Sequence, residues 1–326
     1  MRDTRTVSQV ERAVEALRNS GLVVLPTETV YGLAADVSDP GAVARVYAVK
    51  GRPANHPLIL HLAAGARLDT WAAQIPEYAL GLAADLWPGP LTLVLNKTDR
   101  VRGYVTGGQS TVAVRVPDHP IAQAVLTEFG GGLVAPSANL FGHVSPTTAA
   151  HAEQDLADRL IPDVDVVLDG GPCEVGVEST IVNCTGPAPE ILRPGTLPLS
   201  DIQQAAGVAL VESTDPTIRV SGALESHYAP AASVQLLTSA EQMRPDPSLR
   251  PRIGLLAPYE IPTPSGVVRL AAPRDELEYA RLLYASLREA DALQLERIEV
   301  IGPDGDGAAA RAIRDRLNRA AADRSS

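Results

Sequence analysis

Leu22-Val23-Val24-Leu25-Pro26-Thr27-Glu28-Thr29-Val30-Tyr31-Gly32-Leu33 is the stretch whose reading decides the fold class. Its first four residues form an apolar run of strand length, bounded by a proline, and read as a buried strand. The run ends in hydroxyls, a carboxylate and a phenol, and open α/β folds place their ligands at strand ends of this kind. Further on, Lys50-Gly51-Arg52 gathers two cations around a glycine, where phosphate oxygens can be held by charge and by backbone N–H groups. Of the 28 Lys and Arg residues only Lys50 and Lys97 are lysine. A chain that meets almost every need for positive charge with Arg, yet keeps a compact ammonium beside Arg52, points to a specific use for it. The structural alternative is a helix C-terminus decorated with cations.

Around these stretches the pattern is mixed α/β. Helical spacing runs over residues 7–19, from Asp39 or Pro40 to Lys50, over Glu77 to Leu86, Ile121 to Glu128, and 147–160. Strands are predicted at Leu58 to Leu62, Leu91 to Leu95, Thr111 to Val116, Leu133 to Ala135, 164–168, 178–183 and 189–192. So many adjacent strands exclude strict βαβ alternation, and a twisted, partly antiparallel sheet with flanking helices and a concave site fits best. Periodicity weakens over 201–232, where Asp215-Pro216, Ser221-Gly222 and Ala229-Pro230 punctuate an expected linker that also carries His227 and Tyr228. A second α/β pattern follows, with strands at 234–237, 252–257, 267–270 and 297–301 and helices at 275–290 and 308–320. The expected division is 1–205 for a catalytic domain, 206–232 for a linker over the site, and 233–326 for a small Rossmann-like domain.

Composition narrows the function classes. The 326 residues exceed the usual size of a single core, and 45% hydrophobic with 21% charged residues suits a globular protein. No apolar run has the ~20 residues that span a bilayer, and the N-terminus lacks a signal-peptide core, so a cytoplasmic protein without membrane contact is expected. Cys173 and Cys184 have neither zinc nor disulfide spacing and read as small hydrophobes. A net charge of −11 argues against a broad nucleic-acid face, while leaving room for a local cationic pocket that takes a small anion. No Walker phosphate loop, H-E-x-x-H, G-x-S-x-G or kinase H-R-D occurs, and Gly302 to Gly307 is no dinucleotide fingerprint.

The candidate residues cluster at strand ends. Thr27, Thr29 and Tyr31 follow the first strand, and His61 ends another. Strand alternation puts Thr111 and Arg115 on one face. Ser137, Asn139 and Ser145 follow the strand ending at Ala135, Glu178-Ser179-Thr180 opens one, and Arg193 closes one. Each has an ordinary structural reading as a cap, turn former or surface charge. Their joint occurrence describes a hollow that suits a nucleotide triphosphate together with a carboxylate.

Six blocks in order, PTETVYGLAAD (26–36), KGRPANHPLILH (50–61), STVAVRVPDHP (110–120), APSANLFGHVSPT (135–147), GVESTIVN (176–183) and ILRPG (191–195), resemble the YrdC-like threonylcarbamoyl-AMP synthase family. SGALESHYAP (221–230) and the C-terminal AAARAIRDRLNRAA (308–321) are similar to its long, two-domain form. The resemblance implies a nucleotidyltransferase that joins L-threonine, bicarbonate or CO2, and ATP into L-threonylcarbamoyl-AMP with release of pyrophosphate. Downstream threonylcarbamoyl-transferase proteins then pass the group to tRNA, and direct tRNA contact is one further implication. Thr29, His61, Arg115, Ser179 and the Ala135 backbone would hold threonine. Lys50, Arg52, His56, Thr111, Ser137, Ser145 and Arg193 would hold ATP, Tyr228 would close over it, and Lys50 and Arg52 would be the catalytic cations. No protein metal ligands are expected, and Mg2+ would sit mainly on ATP phosphates. His61 is the candidate general base, with bicarbonate itself the alternative.

Two departures stand out. His56 stands where the family often has Asn, and Ala223-Leu224-Glu225-Ser226 replaces the Met-Lys-Tyr style of some long forms. Two rival readings are an RNA-binding module of the same fold without adenylate synthesis, and a carbamoyl-transfer domain like that of hydrogenase maturation factors. The latter expects acylphosphatase-like and zinc-finger regions upstream.

Overall fold

The computed structural model of the protein describes residues 4–211, 218–222, 228–243 and 252–322. His227, Asp215-Pro216 and the Ala223 to Ser226 stretch therefore lie outside the described residues. Helix α1 (Thr4–Arg18) leads into the hairpin of β1 (Val23–Leu25) and β2 (Gly32–Asp36), in which Leu25 faces Gly32. The polar loop 26–31 is thus the connection between two antiparallel strands. Strand β2 lies where the sequence suggests only a continuation of the loop. Its Gly-Leu-Ala-Ala-Asp composition lacks β-branched residues, and burial on both faces removes the alternation that would announce a strand.

Helix α2 (Pro40–Lys50) starts at Asp39, whose carboxylate accepts from the Gly41 and Ala42 N–H groups. It ends at Gly51, which takes the left-handed conformation (φ 63°) and turns Lys50 and Arg52 inward. Then follow β3 (Ile59–His61), β4 (Ala72–Ala73), α3 (Glu77–Leu86), β5 (Leu91–Lys97), α4 (Gly103–Thr106), β6 (Thr111–Arg115), α5 (Pro120–Phe129) and β7 (Leu133–Val134). The first domain is completed by α6 (Ala149–Leu156), β8 (Val166–Val167), β9 (Thr180–Asn183), β10 (Glu190–Arg193) and α7 (Leu199–Ala206). Residues 199–206, which run into the stretch of weak periodicity, are helical. α7 packs its Ile202 and Ala206 into the cluster that holds Tyr78, Ala79 and Leu82 of α3.

The large sheet has the order β10-β9-β5-β6-β3-β7-β2-β1-β8, with β4 on β5. Its pairings are mixed: β3 runs parallel to β6 but antiparallel to β7, and β2 is antiparallel to both β1 and β7. Register puts His61 opposite Arg115, and a bridge joins Gly32 to Ser137. The ends of four neighbouring strands therefore converge on one spot.

The second unit is a four-stranded parallel sheet, order β11-β14-β12-β13, from β11 (Ser233–Leu237), β12 (Ile253–Leu256), β13 (Val268–Ala271) and β14 (Arg297–Ile301). Helices α8 (Glu276–Ala292) and α9 (Ala308–Ala321) pack against it. Its core continues across the boundary: Tyr279, Tyr284, Leu287 and Leu317 share one cluster with Val30, Val144, Val177 and Tyr228. Cys173 and Cys184 are buried and free.

Candidate active site

A cavity at the convergent strand ends is lined by Thr27, Val30, Gly32, Lys50, Arg52, Ile59, His61, Arg115, Ala135, Pro136, Ser137, Asn139, Phe141, Glu178, Ser179, Arg193, Ser221, Gly222 and Tyr228. It brings together Thr27, Lys50, Arg52, His61, Arg115, Ala135, Ser137, Asn139, Glu178, Ser179, Arg193 and Tyr228 of the residues singled out in the sequence. Thr29, His56, Thr111 and Ser145 lie outside its lining. Thr29 is fully buried behind Thr27, to which its hydroxyl is hydrogen-bonded at 2.9 Å. Ser145 is buried behind Glu178 and donates to that carboxylate at 2.7 Å. His56 packs edge-on against Phe141, and Thr111 borders a neighbouring cleft beneath Arg219, Val220 and Ser221.

Four cations face this space. Lys50 is 2% exposed; its ammonium donates to the Ser137 carbonyl at 2.5 Å and the Asn139 carbonyl at 2.6 Å. Burial, reinforced by the nearby Arg52 charge, holds its pKa well below the ordinary lysine range. Arg52 donates to the Pro57 carbonyl at 2.9 Å and reaches the Ser221 hydroxyl at 3.4 Å, and its guanidinium lies over the Phe141 ring. Its Nε–H is buried with no partner, and burial brings its pKa down to about 10. Among the described residues neither Lys50 nor Arg52 has a carboxylate in salt-bridge contact. Two buried cations without counter-ions make a strong anion site.

Arg115 and Arg193 differ. Arg115 Nη2 donates to Glu28 Oε1 at 2.7 Å with both side chains buried, and Glu28 Oε2 accepts from the Asp118 N–H at 3.1 Å. Among the described residues Arg115 Nε–H has no partner, which leaves a donor of the guanidinium for a ligand carboxylate. Arg193 donates to the Ser179 carbonyl from Nε and Nη2, to Ser179 Oγ at 3.2 Å, and to the Ser221 carbonyl at 2.8 Å. Among the described residues its hydrogen bonds all go to neutral oxygens.

His61 Nδ1 lies 3.2 Å from the Ile59 carbonyl. A carbonyl only accepts, so Nδ1 carries the proton and Nε2 is an acceptor. Burial, and then the Arg115 charge, push its pKa down to about 3. His61 is therefore neutral at physiological pH and a weak base, which counts against it as a general base and favours it as a hydrogen-bond acceptor. Glu178 goes the other way. Burial alone would raise it, but the Arg316 and Arg193 charges and two side-chain hydrogen bonds bring it down to about 2.

Asn139, Phe141, Glu178, Ser221 and Gly222 carry more of the site than their sequence context suggests. The Ser137-x-Asn139 spacing, which puts two carbonyls on one ammonium, was the available signal for Asn139. Ser221 and Gly222 line the cavity, whose free volume is about 40 Å³. Gly222 is left-handed (φ 77°), and a Cβ there would collide with the Tyr228 hydroxyl.

A mixed sheet whose convergent strand ends hold buried, uncompensated cations next to a carboxylate-ready arginine defines an α/β protein built for two anionic ligands at once. Residues 15–195 match the family model named for Sua5, YciO and YrdC and described as telomere recombination. Residues 197–322 match the model described as threonylcarbamoyl-AMP synthase, C-terminal domain. The chain is 42% identical over 231 residues to the threonylcarbamoyl-AMP synthase of Pyrococcus abyssi, covering 69% of this chain and 67% of that one. To the threonylcarbamoyl-AMP synthase of Schizosaccharomyces pombe it is 33% identical, over 98% of this chain and 89% of the other. The crystal structure of Pyrococcus abyssi Sua5 complexed with L-threonine superposes with a TM-score of 0.82 at 35% identity, over 96% of this chain and 94% of that one. The chain belongs to the threonylcarbamoyl-AMP synthase family, in its long two-domain form. Among the described residues no helix is long and apolar enough to cross a membrane.

Proposed function

We propose that this chain makes L-threonylcarbamoyl-AMP from L-threonine, bicarbonate or CO2, and ATP, releasing pyrophosphate as a nucleotidyltransferase. One observation carries the reading: Lys50 and Arg52 are buried and, among the described residues, have no carboxylate in salt-bridge contact, on the wall that also presents Arg115. The proposal assigns Lys50, Arg52 and Arg193 to ATP phosphates. Arg115 takes the threonine carboxylate through its unpartnered Nε edge, and His61 Nε2 accepts from a threonine donor group. Ser179 and the Ala135 backbone complete the amino-acid side, with Thr29 supporting it through Thr27.

The chemistry needs no protein nucleophile. The threonine amine gives up a proton and forms a C–N bond to CO2, yielding a carbamate. A carbamate oxygen then bonds to the α-phosphorus as the bond from that phosphorus to the bridging oxygen of pyrophosphate breaks. Cations that hold two anionic reactants together and stabilise the leaving group supply what these steps demand. The neutral His61 favours bicarbonate, or the base formed from it, as the proton acceptor. Enclosure protects the carbamate and the mixed anhydride from water.

Among the described residues no group of three or more His, Cys, Asp or Glu side chains has metal-binding geometry. Glu28 and Glu178 are committed to arginines, so the fit is to Mg2+ carried on ATP phosphates, where the ion would neutralise part of their charge. The downstream consumers in the proposal are threonylcarbamoyl-transferase proteins acting on tRNA in the cytoplasm. The test is mass spectrometry of the product formed from ATP, threonine and bicarbonate. A threonylcarbamoyl-adenylate mass that needs all three is expected; pyrophosphate release independent of threonine refutes the reading.

A further inference from the structure

The second domain reaches the cavity through Glu178. One oxygen of this buried carboxylate accepts from Ser145 Oγ of the first domain. The other accepts from two groups of the second: Tyr284 Oη on α8 and Arg316 Nε on α9, each at 2.8 Å. Tyr284 is fully buried and Arg316 is 1% exposed, so neither reaches out from a surface. Arg316 also donates to the Pro194 carbonyl at 3.0 Å, next to Arg193, and lies over the Tyr228 ring. Tyr284 stacks on the Tyr228 ring, with centroids 5.5 Å apart.

Electrostatics gives this arrangement a purpose. Glu178 lines a space lined also by Lys50, Arg52 and Arg193. A bare carboxylate there would repel phosphate and draw Arg193 into an ion pair. As built, Glu178 is paired with Arg316. Arg193 instead donates to neutral oxygens and, among the described residues, makes no salt-bridge contact with Glu178.

We propose that Arg316 and Tyr284 of the second domain are positioning residues for the phosphate side of the site: they hold Glu178 so that Arg193 stays free to meet an oxyanion. The proposal rests on the ATP-dependent reading above. It gives the second domain a role in nucleotide affinity that its distance in sequence conceals.

Calorimetric titration of the full chain with ATP and, separately, with threonine tests it. Arg316→Met should weaken ATP binding by about 30-fold, roughly the loss of one charge-assisted contact, and threonine binding by less than about threefold. Adding Glu178→Gln to Arg316→Met removes the stranded charge and should bring ATP affinity back to within about threefold of wild type. Tyr284→Phe keeps the ring and removes one donor; it should weaken ATP by about fivefold with threonine unchanged, and it keeps the test open if Arg316→Met does not fold. Unchanged ATP affinity in Tyr284→Phe, equal losses for both ligands, or no recovery in a folded double variant would overturn the proposal. A wild-type chain that binds neither ligand overturns the functional reading itself, which the variants' failure alone would not.

Discussion

Replacing His61 with Gln tests how the site treats protons. An ordinary histidine titrates near 6.5, whereas His61 is pushed down to about 3 by burial and by Arg115. The group is neutral in the folded state over the window in which it takes up a proton on unfolding. Its contribution is therefore fully present above about pH 6.5 and is lost as pH falls toward 3. For that pair of pKa values the wild-type protein loses about 2 kcal/mol between pH 7 and pH 5 on account of this one ring. Gln preserves a donor for the Ile59 carbonyl but does not titrate, so that part of the slope should disappear. Urea unfolding at pH 7, 6 and 5 reads the difference. Whatever Gln costs at pH 7 cancels, because only the change with pH is compared. His151, pushed down to about 4 by burial and then by Arg288, remains in both proteins and sets a common background. Identical pH slopes in the two proteins, or a His61 ring titrating near 6.5 by NMR, would refute the assignment of a neutral acceptor.

Lys50→Ala and Arg52→Ala should each cut threonine- and bicarbonate-dependent pyrophosphate release by at least about 100-fold with an unchanged circular dichroism spectrum; undiminished turnover in both would remove these cations from the mechanism. Glu28→Gln leaves Arg115 buried without its counter-charge. It should cost about 3 kcal/mol of stability and raise the KM for threonine more than that for ATP, as steady-state kinetics and urea titration will read. Gly222→Ala strains a left-handed position by about 1 kcal/mol and pushes on the Tyr228 hydroxyl, so faster escape of the adenylate into solution, followed by chromatography, is expected. Below pH 4.5 the Glu178 carboxylate, held down to about 2 by Arg316 and Arg193 against its burial, also withdraws its stabilisation as it approaches protonation. Glu178→Gln should flatten the acid limb of the unfolding profile there.

The sequence exposes local chemistry well and distant pairing poorly. The apolar run before Pro26, the Asp39-Pro40 start and the Gly51 stop of α2, and the α/β pattern after Ser233 are written in adjacent residues. Most of the lining is legible because strand ends announce themselves. Strand β2 is hidden by burial on both faces, and α7 by its position beside a region of weak periodicity. Glu178 looks like one more acid before a strand, because its partner Arg316 lies 138 residues away. Arg115 looks like an ordinary strand cation until register sets it beside His61 and the hairpin loop carries Glu28 to it.

Ser221 and Gly222, which line the cavity, have a kinetic consequence. The space they line is narrow, about 40 Å³. A capture of ATP that requires Ser221 and Gly222 to move aside should show an observed rate that levels off with rising nucleotide concentration.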